Sequence, residues 1–234
     1  MISDKRILIV IPARGGSKGI RLKNTRKVLG VPLVIRAINI AKSITEADRI
    51  IVSTDHDDIA KISLDNGINM PFMRPKELSG DCISDWEVLE HVLTKCETLD
   101  NLQYDIIVML QPTSPLRKKT HVMRSINNLI NNDYDSVWTL SATDSKYHPL
   151  KQLIINKNDC LQLYDRKGLS IIARQQLNNV YHRNGIAYAF TRECILKQKT
   201  ILGKNSGYLI LEGEYISIDT EKDIENAERL MHKN

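Results

Sequence analysis

Five branched apolar residues in succession, Ile7 to Ile11, restrict the fold of this chain more than any other feature. A strand that is apolar at every position, rather than at alternate positions, has both faces buried, as in a parallel sheet that helices cover on both sides. Pro12 follows at once and ends the strand, because proline has no backbone N–H to donate to a neighbouring strand. The run therefore predicts a central strand of an α/β fold.

Strand-like and helix-like patterns alternate along the chain, which is typical of a mostly parallel sheet with helices on both faces. The length of 234 residues suits one domain with its own core, and we find no internal repeat or low-complexity linker. We therefore predict a Rossmann-like α/β fold in which residues 1–234 form a single domain. The predicted strands are Arg6–Ile11, Arg49–Ser53, Ile106–Leu110, Ser136–Leu140 and Ile186–Phe190, and the predicted helices are Pro32–Ser43, Asp57–Asn66, Ser84–Lys95, Thr120–Asn131 and Thr220–Met231.

A glycine-rich, basic loop follows the first strand. Gly15, Gly16 and Gly19 can adopt backbone conformations closed to other residues and let main-chain N–H groups approach an anion. Arg14 and Lys18 add positive charge. The loop fits neither the Walker A pattern nor the dinucleotide-binding fingerprint, and a solvated basic turn remains an alternative. Because ligands of open α/β sheets bind beyond the carboxyl ends of the strands, we favour a phosphate-binding loop.

Composition and charge argue against several classes of protein. The net charge of +5 is modest, and the basic residues are scattered without interleaved aromatics, so we expect an anionic small-molecule site and no nucleic-acid partner. No segment approaches the ~20 apolar residues of a membrane span, and the run before Pro12 is too short for a signal peptide, so we expect a cytoplasmic protein without a membrane partner. Widely spaced cysteines without a C-x-x-C pair favour free thiols: Cys82, Cys96, Cys160 and Cys194.

Several motifs together resemble one family. The loop from Ile11 to Asn24 reads I-P-A-R-G-G-S-K-G-I-R-L-K-N. With the motifs that follow it, the chain is similar over nearly its whole length to the bacterial CMP-sialic acid synthetases, which are N-acylneuraminate cytidylyltransferases. The other matching stretches are Ser53–Asp55, Arg74–Pro75, Gln111–Arg117, His148–Lys151, Arg174–Leu177, Asn184–Gly185 with Tyr188, and Ile218–Glu221.

The resemblance implies a reaction between CTP and a nine-carbon 2-keto sugar acid, whose anomeric hydroxyl attacks the α-phosphorus and releases pyrophosphate. Such catalysis needs cations, main-chain donors and a divalent metal, Mg²⁺ or Mn²⁺, held by carboxylates. By resemblance, Arg14, Lys18 and Lys23 are catalytic residues that serve the phosphates, and Asp219 holds the metal. The implied nucleotide-binding residues are Gly15, Gly16, Ser17, Asn24, Arg74, Ser84, Asp85 and Gln111, and the implied sugar-acid-binding residues are Lys151, Arg174, Asn184 and Tyr188.

Some of these residues also have purely structural interpretations. Ser84 and Asp85 could cap the helix that they begin, and Asp219, which follows a strand-like stretch at residues 215–218, could cap the last helix. Asn24 could form a turn or a helix cap, and Tyr188 could be a half-buried aromatic of a sheet. The residue types alone leave these alternatives open.

A polar region from about residue 143 to residue 182 interrupts the alternation. Its short apolar pieces, Leu153–Ile155 and Leu161–Tyr164, resemble the strands of a hairpin. The resemblance implies that this segment is a dimerisation arm that reaches over the active site of a partner subunit, with Lys151 and Arg174 on it. We therefore expect a homodimer.

Two stretches depart from the family's pattern. Ser217 stands where the usual I-D-I-D-T-E motif has its first acidic residue. Because Mg²⁺ keeps several waters and needs only one or two carboxylates, this loss should weaken the metal site without abolishing it. His182 stands where the family usually has an arginine, and Arg183 follows it. Either Arg183 performs the function of that arginine from the next position or the acyl pocket differs. Asp85 is a further single-residue departure, since the family commonly has a small hydroxyl residue at this position.

The acceptor is the least determined part of this interpretation. The Q-P-T-S-P-L-R and R-Q-Q-L stretches favour sialic acid, with legionaminic acid as the nearest alternative. A nucleotidyltransferase for an eight-carbon acid or a sugar 1-phosphate, and a non-catalytic nucleotide-binding protein, are hypotheses from other classes.

Overall fold

A central sheet flanked by helices forms the body of the protein in the computed structural model, which describes residue 2, residues 4–17 and residues 19–233. The strands are Ile7–Pro12 (β1), Lys27–Val28 (β2), Val31–Pro32 (β3), Arg49–Ser53 (β4), Ile106–Met109 (β5), Ser136–Ala142 (β6), Leu153–Ile155 (β7), Leu161–Leu163 (β8), Tyr181–Thr191 (β9) and Ser206–Ile210 (β10). The α-helices are Leu33–Ser43 (α1), Asp57–Asp65 (α2), Asp85–Asp100 (α3), Lys119–Asn131 (α4), Arg192–Leu196 (α5) and Glu221–Lys233 (α6). Within the described residues, none of the helices combines the length and the apolar content needed to cross a membrane.

The main sheet has six strands in the order β10, β6, β9, β5, β1, β4. Strand β9 runs antiparallel to both of its neighbours, and the other neighbouring pairs are parallel. The predicted mostly parallel α/β fold is therefore confirmed. Because β9 is antiparallel, its first residues lie at the edge of the sheet where β5 and β6 end. This edge carries the site described below.

Helices cover both faces of the sheet, as the apolar run of β1 predicts. On one face, Ile9 belongs to an apolar cluster with Ile38 of α1 and Ile126 of α4. On the other face, Leu8 belongs to a cluster with Leu93 of α3. All five side chains are completely buried, and each such burial contributes about 1.5–3 kcal/mol. Strand β1 is thus an interior strand on both faces.

A third apolar cluster joins the glycine-rich loop to the C-terminal segment. Ile20 in the loop packs with Ile218, just before α6, and with Ile224 on α6. Ile218 also donates its backbone N–H to the carbonyl of Thr113, at 2.8 Å. These contacts hold the segment that contains Ser217 and Asp219 beside the loop.

The structure corrects several predicted elements. Strand β9 begins five residues before the predicted Ile186, at Tyr181. Strand β10 was not predicted, since it is a short edge strand weakened by Gly207 and with Tyr208 exposed. Residues 215–218 are not a strand but an irregular segment. Helix α3 continues to Asp100, because Cys96 in its last part is buried in the core.

The segment from residue 143 to residue 180 lies outside the main sheet, whereas Tyr181 and His182, which the prediction included in it, begin β9 and pair with β6. It consists of short 3₁₀ turns and a hairpin formed by β7 and β8. The segment exposes several large apolar side chains, including Ile155 at 69%, Leu161 at 69% and Ile172 at 92% of their surface. Exposed large apolar side chains are more often found at interaction sites when they lie together, as Ile155 and Leu161 do across the β7–β8 hairpin.

Candidate active site

A cavity of about 530 Å³ opens at the edge of the sheet where β1 and β5 end. It contains eight of the residues predicted from the sequence. They are Arg14, Ser17, Lys23, Asn24, Arg74, Asp85, Gln111 and Asp219. The loop after β1, the start of α3 and the segment before α6 therefore converge on one space.

The glycine-rich loop is held in shape by its own side chains and neighbours. The Asn24 side-chain amide donates to the carbonyl of Arg14 at 2.9 Å, and Asn24 is buried. Gly15 donates its backbone N–H to a carboxylate oxygen of Asp55 at 2.8 Å. A Cβ atom on Gly15 would lie 2.6 Å from the ring of His56, whereas one on Gly16 would meet open space. Asn24 and Gly15 thus shape the loop, and a glycine is required at the second of these positions.

Two cations that line the cavity, Arg14 and Lys23, are paired with carboxylates. An Arg14 guanidinium nitrogen lies 2.8 Å from Asp81, and the Lys23 ammonium donates to Asp219 at 2.7 Å. The predicted catalytic residue Lys18 lies outside the described residues. Because each pair is partly exposed, an anionic ligand that enters the cavity can replace the carboxylate as the partner of the cation.

Asp219 offers a single carboxylate for a metal ion. The structure corrects the helix-cap interpretation of its side chain: Thr220 and Asp223 form the cap, with the Asp223 carboxylate accepting from both the N–H and the hydroxyl of Thr220. The Ser217 hydroxyl donates to the Thr113 hydroxyl at 3.3 Å. The described residues contain no group of three acidic, histidine or cysteine side chains that would form a closed metal site. One carboxylate completed by phosphate oxygens and water suits Mg²⁺.

Arg74 is a fixed cation at the end of β4. It is buried, and its guanidinium donates to the hydroxyl and the carbonyl of Ser53 at 2.9 and 2.6 Å. Burial lowers the pKa of Arg74 to about 10, while the nearby Asp55 raises it. The side chain therefore stays charged at neutral pH and is held rigidly at the cavity.

The two residues at the start of α3 differ in what their side chains do. Ser84 is the N-cap, and its backbone N–H and hydroxyl donate to Glu87 at 2.9 and 2.7 Å. Ser84 does not line the cavity, so the structure favours the capping interpretation for it. Asp85 does line the cavity and lies 3.6 Å from Arg183. Burial raises the pKa of the Asp85 carboxyl, and Arg183 and Arg74 act in the opposite direction.

Arg117 is a buried cation in contact with Gln111 of the cavity, and the sequence interpretation did not single it out. Its buried guanidinium donates to the carbonyls of Gln111, Gly185 and Ile186. Gly185 has a φ of +73°, and a Cβ atom there would lie 2.9 Å from the side-chain oxygen of Gln111. Arg117 thus joins Gln111, just after β5, to Gly185 and Ile186 within β9. The signal was present, since this arginine ends the Q-P-T-S-P-L-R motif.

The four predicted sugar-acid residues lie outside the cavity lining. Asn184 is buried, where its side chain accepts from the Thr139 hydroxyl at 2.7 Å. Tyr188 is also buried, and its hydroxyl accepts from the Gly185 N–H at 2.8 Å. Lys151 and Arg174 belong to the segment outside the main sheet, and Arg174 lines a separate cavity of about 230 Å³.

Residues 8–234 match the family model described as cytidylyltransferase. This chain is a cytidylyltransferase. It is 32% identical to the CMP-N,N′-diacetyllegionaminic acid synthase of Legionella pneumophila over 98% of this chain and 97% of that one. It is 30% identical to the pseudaminic acid cytidylyltransferase of Campylobacter jejuni over 97% of each chain. The cytidylyltransferase therefore belongs to the CMP-nonulosonic acid synthetases.

Two further proteins are similar to this chain, one in sequence and one in structure. The N-acylneuraminate cytidylyltransferase of Streptococcus agalactiae is 30% identical to this cytidylyltransferase over 92% of this chain but 51% of its own length. A solved CMP:2-keto-3-deoxy-manno-octonic acid synthetase complexed with CTP has a TM-score of 0.73 at 18% identity, over 98% of this chain and 99% of that one. The last comparison supports the fold alone.

Proposed function

We propose that the protein transfers CMP from CTP to the anomeric hydroxyl of a nonulosonic acid. The oxygen of that hydroxyl forms a bond to the α-phosphorus, the bond from this phosphorus to the leaving diphosphate breaks, and the hydroxyl proton passes to solvent. The observation that carries the proposal is the convergence of the glycine-rich loop, Arg74 and Asp219 on one cavity. It supplies the cations and the carboxylate that a triphosphate with Mg²⁺ requires.

The residues of the cavity divide this work. Arg14 and Lys23 exchange their carboxylate partners for phosphate oxygens, and Asn24 holds the loop in place through its hydrogen bond to the Arg14 carbonyl. Asp219, released by Lys23, is the residue that would hold Mg²⁺. When bound, the metal neutralises charge that develops on the phosphates. Arg74 serves the nucleoside end, since it is fixed at β4, beyond the loop.

For the acceptor, we propose N,N′-diacetyllegionaminic acid first and pseudaminic acid second. The relatives named for these two sugars are 32% and 30% identical to this chain and extend over the same length. The sialic acid enzyme of Streptococcus agalactiae is 30% identical, but this chain spans only 51% of its length. Sialic acid, which the sequence motifs favoured, is therefore the third acceptor to test.

The acceptor is tested by measuring pyrophosphate release from CTP and Mg²⁺ with each of the three acids in turn. An eight-carbon 2-keto sugar acid is the negative control. We expect one nonulosonic acid to exceed the control by at least about tenfold in kcat/KM, a difference of about 1.4 kcal/mol. Lys23→Met should abolish release, while Lys27→Met, which removes a neighbouring exposed lysine, should not. Measurable CTP binding with no release from any acid would overturn the proposal.

We also propose that the active unit is a homodimer. The segment from residue 143 to residue 180 exposes Ile155, Leu161 and Ile172, and it holds Lys151 and Arg174 away from the cavity of its own chain. A partner's segment laid over the cavity would bury these apolar side chains and supply two cations for the carboxylate of the sugar acid.

Subunit complementation tests the dimer. Arg174→Gln and Lys23→Met subunits are each expected to be inactive alone. After exchange, half of the dimers are mixed, and each contains one intact site, so about a quarter of the native activity should return. Subunit exchange without any recovery would mean that Arg174 acts in its own chain or not at all.

The compartment that we propose is the cytoplasm. All four cysteines are free thiols, with Cys82 and Cys160 exposed. Exposed free thiols suit a reducing compartment.

A further inference from the structure

A second cavity, of about 230 Å³, lies at the segment outside the main sheet and is lined by His148 and Arg174. Among the described residues that line it, Arg174 is the one with a formal charge, and none is acidic. Asp144, nearby in the chain, directs its carboxylate to Lys146 instead, at 2.9 Å from the backbone N–H and 3.6 Å from the ammonium. This space, called the His148–Arg174 cavity below, therefore favours an anion.

His148 places a buried N–H donor at this cavity. The residue is only 5% exposed, and its Nδ1 accepts the backbone N–H of Leu150 at 3.1 Å. Because Nδ1 is an acceptor, the ring proton is on Nε2. Nε2 is buried and has no hydrogen-bond partner among the residues that the structure describes. A buried donor without an acceptor costs about 1–3 kcal/mol, which a bound acceptor atom would recover.

The turn that contains His148 fixes the direction of this donor. The His148 carbonyl accepts from the Lys151 N–H at 2.8 Å and from the Gln152 side-chain amide at 3.3 Å. The Leu150 carbonyl packs so closely on Gly168 that no Cβ atom would fit there. The ring therefore cannot turn Nε2 toward another residue without breaking its hydrogen bond to Leu150.

Arg174 supplies the charge of the cavity. Its guanidinium forms neither a hydrogen bond nor a salt bridge with any residue that the structure describes, and it acts on Asp144 only at longer range. A guanidinium presents several N–H donors in one plane and binds carboxylates with two hydrogen bonds. The cavity thus combines a buried neutral donor with an exposed cation that has donors to spare.

We propose that the His148–Arg174 cavity binds a carboxylate group, with the His148 Nε2–H and the Arg174 guanidinium as its donors. The two oxygens of a carboxylate match these two residues, whereas a phosphate has more oxygens and a second charge to satisfy.

Two sources can supply this carboxylate. One is the acceptor sugar acid in the active site of the partner subunit, which would make His148 a further acceptor-binding residue beside Arg174. This assignment rests on the proposed function. The other source is a small free carboxylate, whose binding does not depend on the proposed function.

Two substitutions separate the free donor from the structural role of the ring. His148→Asn keeps an acceptor for the Leu150 N–H, because the amide oxygen takes the position of Nδ1, but it has no donor at the position of Nε2. His148→Gln does the reverse, since its amide nitrogen reaches the position of Nε2 and the acceptor at Nδ1 is lost. His232→Asn is the matched control, because it makes the same change at an exposed position of α6.

The first measurement is steady-state kinetics with the acid that the native enzyme uses best. If that acid is the source, His148→Asn should raise its KM by about tenfold, because a hydrogen bond to a charged group is lost. The KM for CTP should keep its native value. His148→Gln should recover part of the affinity for the acid, although it should unfold at a lower urea concentration. The opposite order, with His148→Gln the weaker enzyme, would show that the ring only caps its turn and would overturn the acceptor assignment.

The second measurement identifies the source of the carboxylate. In protein labelled with ¹⁵N-histidine, the His148 ring signals are those missing from His148→Asn, and ligands are added with CTP and a chelator so that no turnover occurs. If the acceptor is the source, the sugar acid and acetate should both shift these signals, and the methyl ester of the acid should not. A shift with acetate alone, together with a native KM in His148→Asn, would assign the cavity to a free carboxylate.

The inference is overturned if neither the sugar acid nor acetate shifts the His148 ring signals. It is also overturned if inorganic phosphate shifts them and acetate does not. Inactivity of the native enzyme with every acid would instead reject the proposed function, and the acetate titration would still decide whether the cavity binds a carboxylate.

Discussion

The Lys23 ammonium and the Asp219 carboxylate are 196 positions apart in the chain and 2.7 Å apart in space. Lys23 is the more enclosed partner, at 18% side-chain exposure against 70% for Asp219. The proposed phosphate-binding cation and the proposed metal-binding carboxylate are thus each other's partner. In the proposed function, binding of CTP with Mg²⁺ would exchange this ion pair for two interactions, Lys23 with phosphate and Asp219 with the metal.

Replacing Asp219 with Asn should impair metal use and leave the fold intact. Because the ion pair is largely exposed on the Asp219 side, its loss should change the free energy of unfolding by less than about 1 kcal/mol. The Mg²⁺ concentration for half-maximal pyrophosphate release should rise by about tenfold or more, since the carboxylate proposed to hold the metal is gone. Glu221→Gln, which removes the carboxylate that pairs with Arg26 nearby, is the control and should leave the Mg²⁺ requirement unchanged.

Replacing Ser217 with Asp should have the opposite effect on magnesium. Ser217 lines the cavity two residues from Asp219, so a carboxylate there adds a second acidic ligand. We expect a lower Mg²⁺ requirement in a titration of pyrophosphate release. Ser217→Ala, which removes only the hydroxyl contact with Thr113, should resemble the native enzyme. An Mg²⁺ dependence that is identical in the Asp variant would remove Ser217 from any account of the metal site.

Gly185→Ala should damage the site more than Gly30→Ala. Both glycines have a positive φ, +73° and +75°, so both variants carry the backbone strain of about 1 kcal/mol that alanine suffers there. Only at Gly185 would the new Cβ also lie 2.4 Å from the Ser114 hydroxyl and 2.9 Å from Gln111. Urea unfolding should show the larger loss of stability for Gly185→Ala, and kcat/KM should fall in that variant alone. Equal losses of both quantities would contradict the packing argument.

Acidification should destabilise the protein through His121. Burial first, and then Lys118, Arg124 and Arg117, lower the pKa of His121 from 6.5 to about 4. Below pH 6.5 this histidine is protonated in the unfolded chain, but in the folded chain it stays neutral down to a pH of about 4. The unfolded state therefore binds more protons in this range, and the free energy of unfolding falls as the pH falls from 6.5 to about 4. Between pH 7 and pH 5 the loss should be about 2 kcal/mol.

His121→Gln isolates this contribution from that of the carboxylates. Glutamine retains an acceptor for the Lys118 N–H, which His121 accepts at 3.3 Å, but it does not titrate. Urea unfolding at pH 7 and pH 5 should therefore show a smaller difference for the variant than for the native protein. If the free energy of unfolding had the same pH dependence in both proteins, His121 would be protonated at pH 5 as readily in the folded chain as in the unfolded chain.

Local patterns predicted most of the elements correctly, because their signals lie within a few consecutive residues. The β1 run required burial on both faces, and the structure has it between β4 and β5 with helices on either side. The loop that follows has the glycines and cations of an anion site, and it lies at the cavity. Strand β10 was missed, since pairing with β6 rather than its own composition stabilises it.

The sequence by itself determined the fold class and the position of the glycine-rich loop, since hydrophobic period, glycine placement and charge are properties of consecutive residues. Only the tertiary structure decided how distant residues are paired. Ser84 and Asp85 are adjacent, yet one caps a helix and the other faces the cavity toward Arg183. Arg117 is one cation among many in the sequence, yet it is buried on three carbonyls. The role of a side chain depends on its burial and on its hydrogen-bond and ion-pair partners. Both are determined by strands and helices that are distant in the chain and come into contact only when the sheet has formed.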